Sequence, residues 1–256
     1  MTLSKTEFLP ALVKKCLISI IFSLNMIPLI TKADENTLVV QYAPGEIMQL
    51  IAPVTEPEKR ALRDRYFEQN AGTARKHGYR QEGVLLVEET LSGDFSPNVF
   101  VISRWPSLIA QKTFQALPSF SDVKALRREA WEALRLYDHE LPDVLSLEFS
   151  QDKAYTIAFA WANPSNPGDY AEYLASLPPL LDKVGGRLMH NIEGLVLSAH
   201  NPHAVAPQYI SFIEWDAHDG MQQLQALPEF TELTKKQQSG TVRYELYRVS
   251  PRIAKE

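Results

Sequence analysis

Arg187 and His190 stand three residues apart, just after Gly185-Gly186. A guanidinium offers a planar fork of donors to a carboxylate, an enolate or a carbonyl. An imidazole, with an ordinary pKa of about 6.5, suits general-base work or haem ligation. In an extended strand a spacing of three sends these side chains to opposite faces, so both reach one pocket only if a bulge intervenes. The structural alternatives are an ion pair from Arg187 to Glu193 or Glu214, and a hydrogen-bonded or exposed His190. Tyr155, Phe159 and Trp161 share one face of an alternating run, where they could wall a flat apolar ligand or simply be core. Trp215, which closes a later run, could join that wall, and its match Trp105 equally suggests a packing role at a strand end. Tyr244 and His190 are the candidates for moving a proton on a phenolic or enolic substrate. His200, His203 and His218 fall on a turn and a helix start, with Pro202 and Pro207 between the first and the last, and match no zinc spacing. No Gly-rich phosphate loop, nucleophile elbow, His-Glu zinc helix or paired-carboxylate signature occurs, which sets hydrolase and kinase chemistry aside.

The elements that must hold these residues are written twice. Ala52 and Ala162, Pro57 and Pro167, Pro97 and Pro207, and Trp105 and Trp215 recur at an offset of 110, and Gln115-Ala116-Leu117-Pro118-x-Phe120 returns as Gln225-Ala226-Leu227-Pro228-x-Phe230. In the second half the pattern predicts a strand over 155–161, a helix over 169–184 interrupted by Pro178-Pro179, strands over 187–198 and 208–215, a helix over 217–237 and a strand over 241–249. The first half repeats the order: strand 46–54, helix 57–77, strands 84–90 and 98–105, a long helix 107–139 and a strand 144–149. Two βαββαβ units imply an α+β chain of ferredoxin-like sheets, each with its helices on one face. The bare apolar faces then pack sheet to sheet inside one chain, with boundaries expected at 34–150 and 151–256.

The chain has 256 residues, 45% of them hydrophobic and 22% charged, which is the balance of a folded protein. A formal net charge of -5 and the lack of a Lys/Arg cluster exclude a nucleic-acid partner. Lys5, Lys14 and Lys15 precede an apolar stretch from Cys16 to Ile30, and Thr31-Lys32-Ala33 offers a small residue before Asp34. That order predicts a Sec-type signal peptide over 1–33, cleaved after Ala33, and hence a periplasmic or secreted protein with no stable membrane span. The alternative is a retained anchor. The single Cys16 would leave with the segment, so the mature chain would hold no disulfide or thiolate metal site.

Gly185-Gly186-Arg187, Glu193-Gly194, the strand ending at Trp215 and Leu227-Pro228-Glu229-Phe230-x-x-Leu233 resemble the dimeric α/β-barrel superfamily, in particular a small bacterial domain family of unknown function. The resemblance covers residues 153 to 250. The first half departs from it, with Lys76-His77-Gly78-Tyr79-Arg80 where Gly-Gly-Arg should stand. The superfamily's members form the barrel from two chains, so the resemblance implies a fused pair that is either a monomeric pseudo-dimer or part of a homo-oligomer. It includes cofactor-free monooxygenases, lactone isomerases and haem enzymes, and thereby implies a small organic ligand without choosing a reaction. A small-molecule-binding protein with no metal and no cofactor is the first expectation. A cofactor-independent monooxygenase or isomerase is the second, and haem handling the third.

Overall fold

The computed structural model describes residues 36–253, so the expected signal segment and Cys16 lie outside the described residues. In the first half, β1 (Thr37–Tyr42) precedes β2 (Ile47–Val54), and a 3-10 turn at Pro57–Lys59 leads into α1 (Arg60–Lys76). Then follow β3 (Arg80–Ser92), β4 (Val99–Trp105), α2 (Leu108–Gln115), α3 (Phe120–Ala130), β5 (Ala133–Glu140) and β6 (Leu145–Ser150). The second half runs β7 (Ala154–Ala162), α4 (Asp169–Ser176), α5 (Pro178–Asp182), β8 (Gly186–Glu193), β9 (Val196–Ala199), β10 (Tyr209–Trp215), α6 (Gly220–Gln225), α7 (Pro228–Gly240) and β11 (Thr241–Pro251). The strands form a nine-stranded sheet in the order β8-β10-β7-β11-β3-β4-β2-β5-β9, beside a two-stranded β1-β6 sheet.

That order contains the same four-strand antiparallel arrangement twice, β3-β4-β2-β5 and β8-β10-β7-β11, which is the split βαβ sheet of a ferredoxin-like unit. Two seams join them. The far leg of β3 pairs with β11 from Leu85 to Ser92, and β9 pairs with β5 from Arg135 to Asp138. Since β8 and β9 are separated only by Gly194-Leu195, with Gly194 at φ 70, the two ends of the sheet order are covalently linked and the sheet closes as a barrel. The fold is therefore the dimeric α/β barrel completed within one chain. Its interior holds Met48, Leu50, Phe100, Tyr137, Ile157, Phe159, Phe212 and Tyr247, drawn from both halves, and the β1-β6 pair adds Val40, Leu147 and Phe149 to the same cluster.

Three expectations are corrected. The predicted helix over 107–139 ends at Ala130, and 133–140 is the fourth strand of the first unit. Leu134 and Leu136 face the helices while Arg135 and Tyr137 face the interior, an alternation that also satisfies helical spacing from Trp131 to Leu134 to Tyr137. The strand predicted at 144–149 is instead the partner of β1, a pairing that the six-element pattern did not contain. The 110-residue offset also fails in the first strands. Trp105 opposes Ile47 and Trp215 opposes Ala154, so β2 and β7 correspond at 107 and Ala52 is not the counterpart of Ala162. The Leu-Pro-x-Phe motifs, by contrast, separate the short helix from the long one in both halves.

Candidate functional site

Helix α1 is an unusual cover for a sheet. Its only buried residues are Asn70 and Ala74, where an apolar stripe would normally lie. Arg63, Tyr66 and Asn70 turn toward the helix-side face of β2, β4 and β5, and the space between is a cavity of about 320 Å3. That volume lies at the lower end of the range for small organic ligands, roughly 300–1,000 Å3. Aromatic rings wall it at edge-to-face and tilted angles. Tyr66 meets Trp131 at 4.9 Å, Tyr79 meets Trp105 at 5.2 Å, and Trp105 meets Phe114 at 5.1 Å between centroids.

The polar atoms inside are few and oriented. Asn70 Nδ2 donates to the Tyr66 hydroxyl at 2.9 Å, which leaves the tyrosine proton to donate elsewhere. Trp105 Nε1 and Arg127 Nε are buried without a partner among the described residues, and both residues line the cavity. A buried unpaired donor is costly and usually signals a ligand or an ordered water. Behind this space Gln49 Nε2 donates to Asp138 Oδ1 at 2.7 Å. Burial raises the Asp138 carboxyl above the ordinary carboxylate range, opposed by its bond to Gln49, by the nearby Gln111 amide and by the Arg127 charge. Burial likewise raises the hydroxyls of Tyr66 and Tyr79, so both remain protonated donors. Together these groups can hold a flat molecule by its faces and bond two or three oxygen acceptors on its edge.

At the matching place in the second half the described residues pack into a buried cluster. Tyr170, Tyr173, Leu177, Leu181, Ile213 and Phe230 form it. The strand register makes Thr156 the counterpart of Gln49, and Trp215 Nε1 donates to Thr156 Oγ1 at 3.0 Å. The counterpart of Asp138 is Arg248, whose guanidinium donates to Glu89 at 2.7 Å.

The residues singled out from sequence do not form one pocket. Tyr155, Phe159 and Trp161 lie in the barrel interior, whereas Trp215 belongs to the helix-side cluster on the opposite face of the sheet. Burial raises the Tyr155 hydroxyl to about 12, and that oxygen accepts from Ser150 N at 2.7 Å. A bulge does fall between Arg187 and His190. Arg187 opposes Glu214, Leu188 opposes Ile213 and His190 opposes Phe212, so both side chains share the interior face. Even so, Arg187 is 61% exposed and pairs with Glu214 at 3.2 Å, the structural alternative for this residue. Burial and the neighbouring His139 lower the pKa of His190, which does not line the first-half cavity. Tyr244 packs in the helix-side cluster, its hydroxyl raised well above the ordinary value by burial and by Tyr173 and Tyr170. Sequence reasoning passed over Gln49, Tyr66, Asn70, Arg127 and Asp138. The available signal was a run of polar residues at helical spacing, 63, 66 and 70, on a helix that had to cover a sheet.

No family model matches the chain, and no curated protein matches it. Solved structures do. An anthrone oxidase-like protein aligns over 85% of this chain and 97% of its own, at 16% identity and a TM-score of 0.49. A mutant chlorite dismutase from Candidatus Nitrospira defluvii aligns over 82% and 93%, at 11% identity and a TM-score of 0.39. A protein of unknown function from Rhodopseudomonas palustris covers 41% of this chain and 82% of its own, at 16% identity and a TM-score of 0.29.

Proposed function

We propose that the chain is an exported small-molecule-binding protein whose first-half cavity takes a flat, largely apolar ligand carrying phenolic or carbonyl oxygens. One observation carries the reading. Trp105 Nε1 has no partner in a cavity-bearing half, while the equivalent Trp215 Nε1 is satisfied in a filled one. The aromatic walls supply apolar contact, and the Tyr66, Trp105 and Arg127 donors orient the ligand edge. Export rests on the basic, apolar and small-residue order of positions 1–33. Among the described residues no helix is long and apolar enough to cross a membrane.

A second reading, a cofactor-independent monooxygenase or isomerase, draws on Asp138. A carboxyl with a raised pKa held just behind the cavity wall by Gln49 would accept the proton of a phenol or enol across one bridging water. Haem does not fit this cavity, because its lining includes no His, Met or Cys to serve as an axial ligand and its two tyrosines, Tyr66 and Tyr79, are held protonated by burial, with Tyr66 also engaged by Asn70.

The test is titration with 2-naphthol, a flat phenol of suitable size, followed by calorimetry. Trp105→Phe and Arg127→Met should each weaken binding severalfold, and Thr156→Val in the second half should not. Binding indifferent to both first-half changes would remove the cavity from consideration. Native mass spectrometry of the chain from its own compartment reads export independently, with an intact Met1 terminus as the opposing result.

A further inference from the structure

A larger opening, about 580 Å3, lies where β5 of the first half faces β7 and β11 of the second. We infer that it is a second binding site, for a small organic carboxylate with an apolar body. Its chemistry starts from Glu245, which is wholly buried yet held by groups from both halves. Arg135 Nη1 donates to both carboxylate oxygens at 3.1 and 3.0 Å and Arg243 Nη2 donates to Oε1, while the single Tyr247 O–H is shared between Phe95 O at 2.8 Å and Oε2 at 2.9 Å. One negative charge thus answers two positive ones.

Both guanidiniums line the opening, and no Asp or Glu does, although the whole chain is net acidic. Each guanidinium has five N–H groups. Beyond Glu245, Arg135 reaches only the Tyr137 hydroxyl, at 3.4 Å, among the described residues, so both arginines keep donors to spare. Their planes are fixed by stacking. Arg135 sits 3.6 Å from the Phe95 centroid and Arg243 4.6 Å from that of Trp161. Trp161 is itself held by its Nε1 bond to Val205 O at 2.8 Å. His200, also in the lining, has a buried Nε2 without a partner among the described residues.

A preorganised guanidinium pair with excess positive charge in a half-sheltered opening recognises an oxyanion. The indole and phenyl rings beside it recognise an apolar body. The combination selects a carboxylate joined to a ring or short hydrocarbon over a bare inorganic anion.

Sodium benzoate titrated into the full chain tests this, read by calorimetry and by tryptophan fluorescence. Benzoate should bind, and neutral benzyl alcohol at least tenfold more weakly. Arg243→Ala should weaken benzoate about tenfold or more, the loss of a charge-assisted contact. Gln208→Glu, which adds a charge at an exposed lining position, should do the same and serves if Arg243→Ala does not fold. Trp161→Phe should remove the fluorescence change. No response to benzoate at millimolar concentration overturns the proposal, as does equal affinity for benzyl alcohol or an unchanged affinity in the folded arginine variant. Trp105→Phe separates this site from the first-half cavity: it should leave benzoate affinity unchanged, and a loss there would move the ligand to that cavity and overturn the second site.

Discussion

Trp105 and Trp215 close equivalent strands, but one borders a cavity with its N–H free and the other is sealed against Thr156. Around the first, polar α1 residues stand off the sheet; around the second, Tyr170 stacks on Tyr173 at 5.5 Å between centroids and leucines fill what remains. The difference teaches that one backbone plan can serve as a container or as ballast according to which side chains face the sheet. Stability and ligand space are thereby divided between the halves. The filled unit contributes packing, and the open one accepts unpaired donors.

Replacing the motif phenylalanines gives the widest separation. Phe230→Ala, in the filled half, should cost about 3–5 kcal/mol in chemical denaturation. Phe120→Ala, at a half-exposed position on the cavity wall, should cost less than half of that. Equal losses would mean that the first half is as well packed as the second.

The tryptophans themselves sharpen the contrast. Both Trp→Phe changes remove similar volume, but Trp215→Phe also strands the buried Thr156 hydroxyl and should be the more destabilising by about 1–2 kcal/mol. Urea midpoints of the two variants would show it, and a reversed order would contradict a free Trp105 N–H.

The smallest effect depends on pH. A buried acid with a raised folded pKa binds its proton more tightly folded than unfolded, so ionising it opposes folding once the pH exceeds the unfolded value. The penalty is fully present above the folded pKa and vanishes below the unfolded one. Asp138→Asn should therefore stabilise the chain at neutral pH, with the gain fading as the pH falls through the range where the Asp138 carboxyl takes up its proton. Denaturation curves across that range would reveal a variant gain that is instead constant, or reversed.

Strand alternation and the recurring Leu-Pro-x-Phe motif made the βαββαβ order legible. Two things were hidden. Residues 131–137 satisfy both periods, and only the pairing of β5 with β2 decides for a strand. The three-residue slip between β2 and β7 was invisible because Ala52 and Ala162 match by coincidence at the wrong spacing. For the site, motif likeness drew attention to the second half, where Arg187 meets Glu214 at the rim. A cavity is a property of what is missing between elements, and Gln49 or Asn70 declares it only once the opposite wall is known.

The two seams bear on synthesis. Until residues 186–251 leave the ribosome, β3 and β5 of the first half have neither of the neighbours that later cover their edges. A nascent chain of this design carries two open, partly apolar strand edges for the time needed to make its second half, and such edges are templates for pairing with other chains. Joining two units in one polypeptide shortens that exposure from a diffusional search for a partner to the delay of translating about a hundred residues, roughly 5–20 s at common elongation rates.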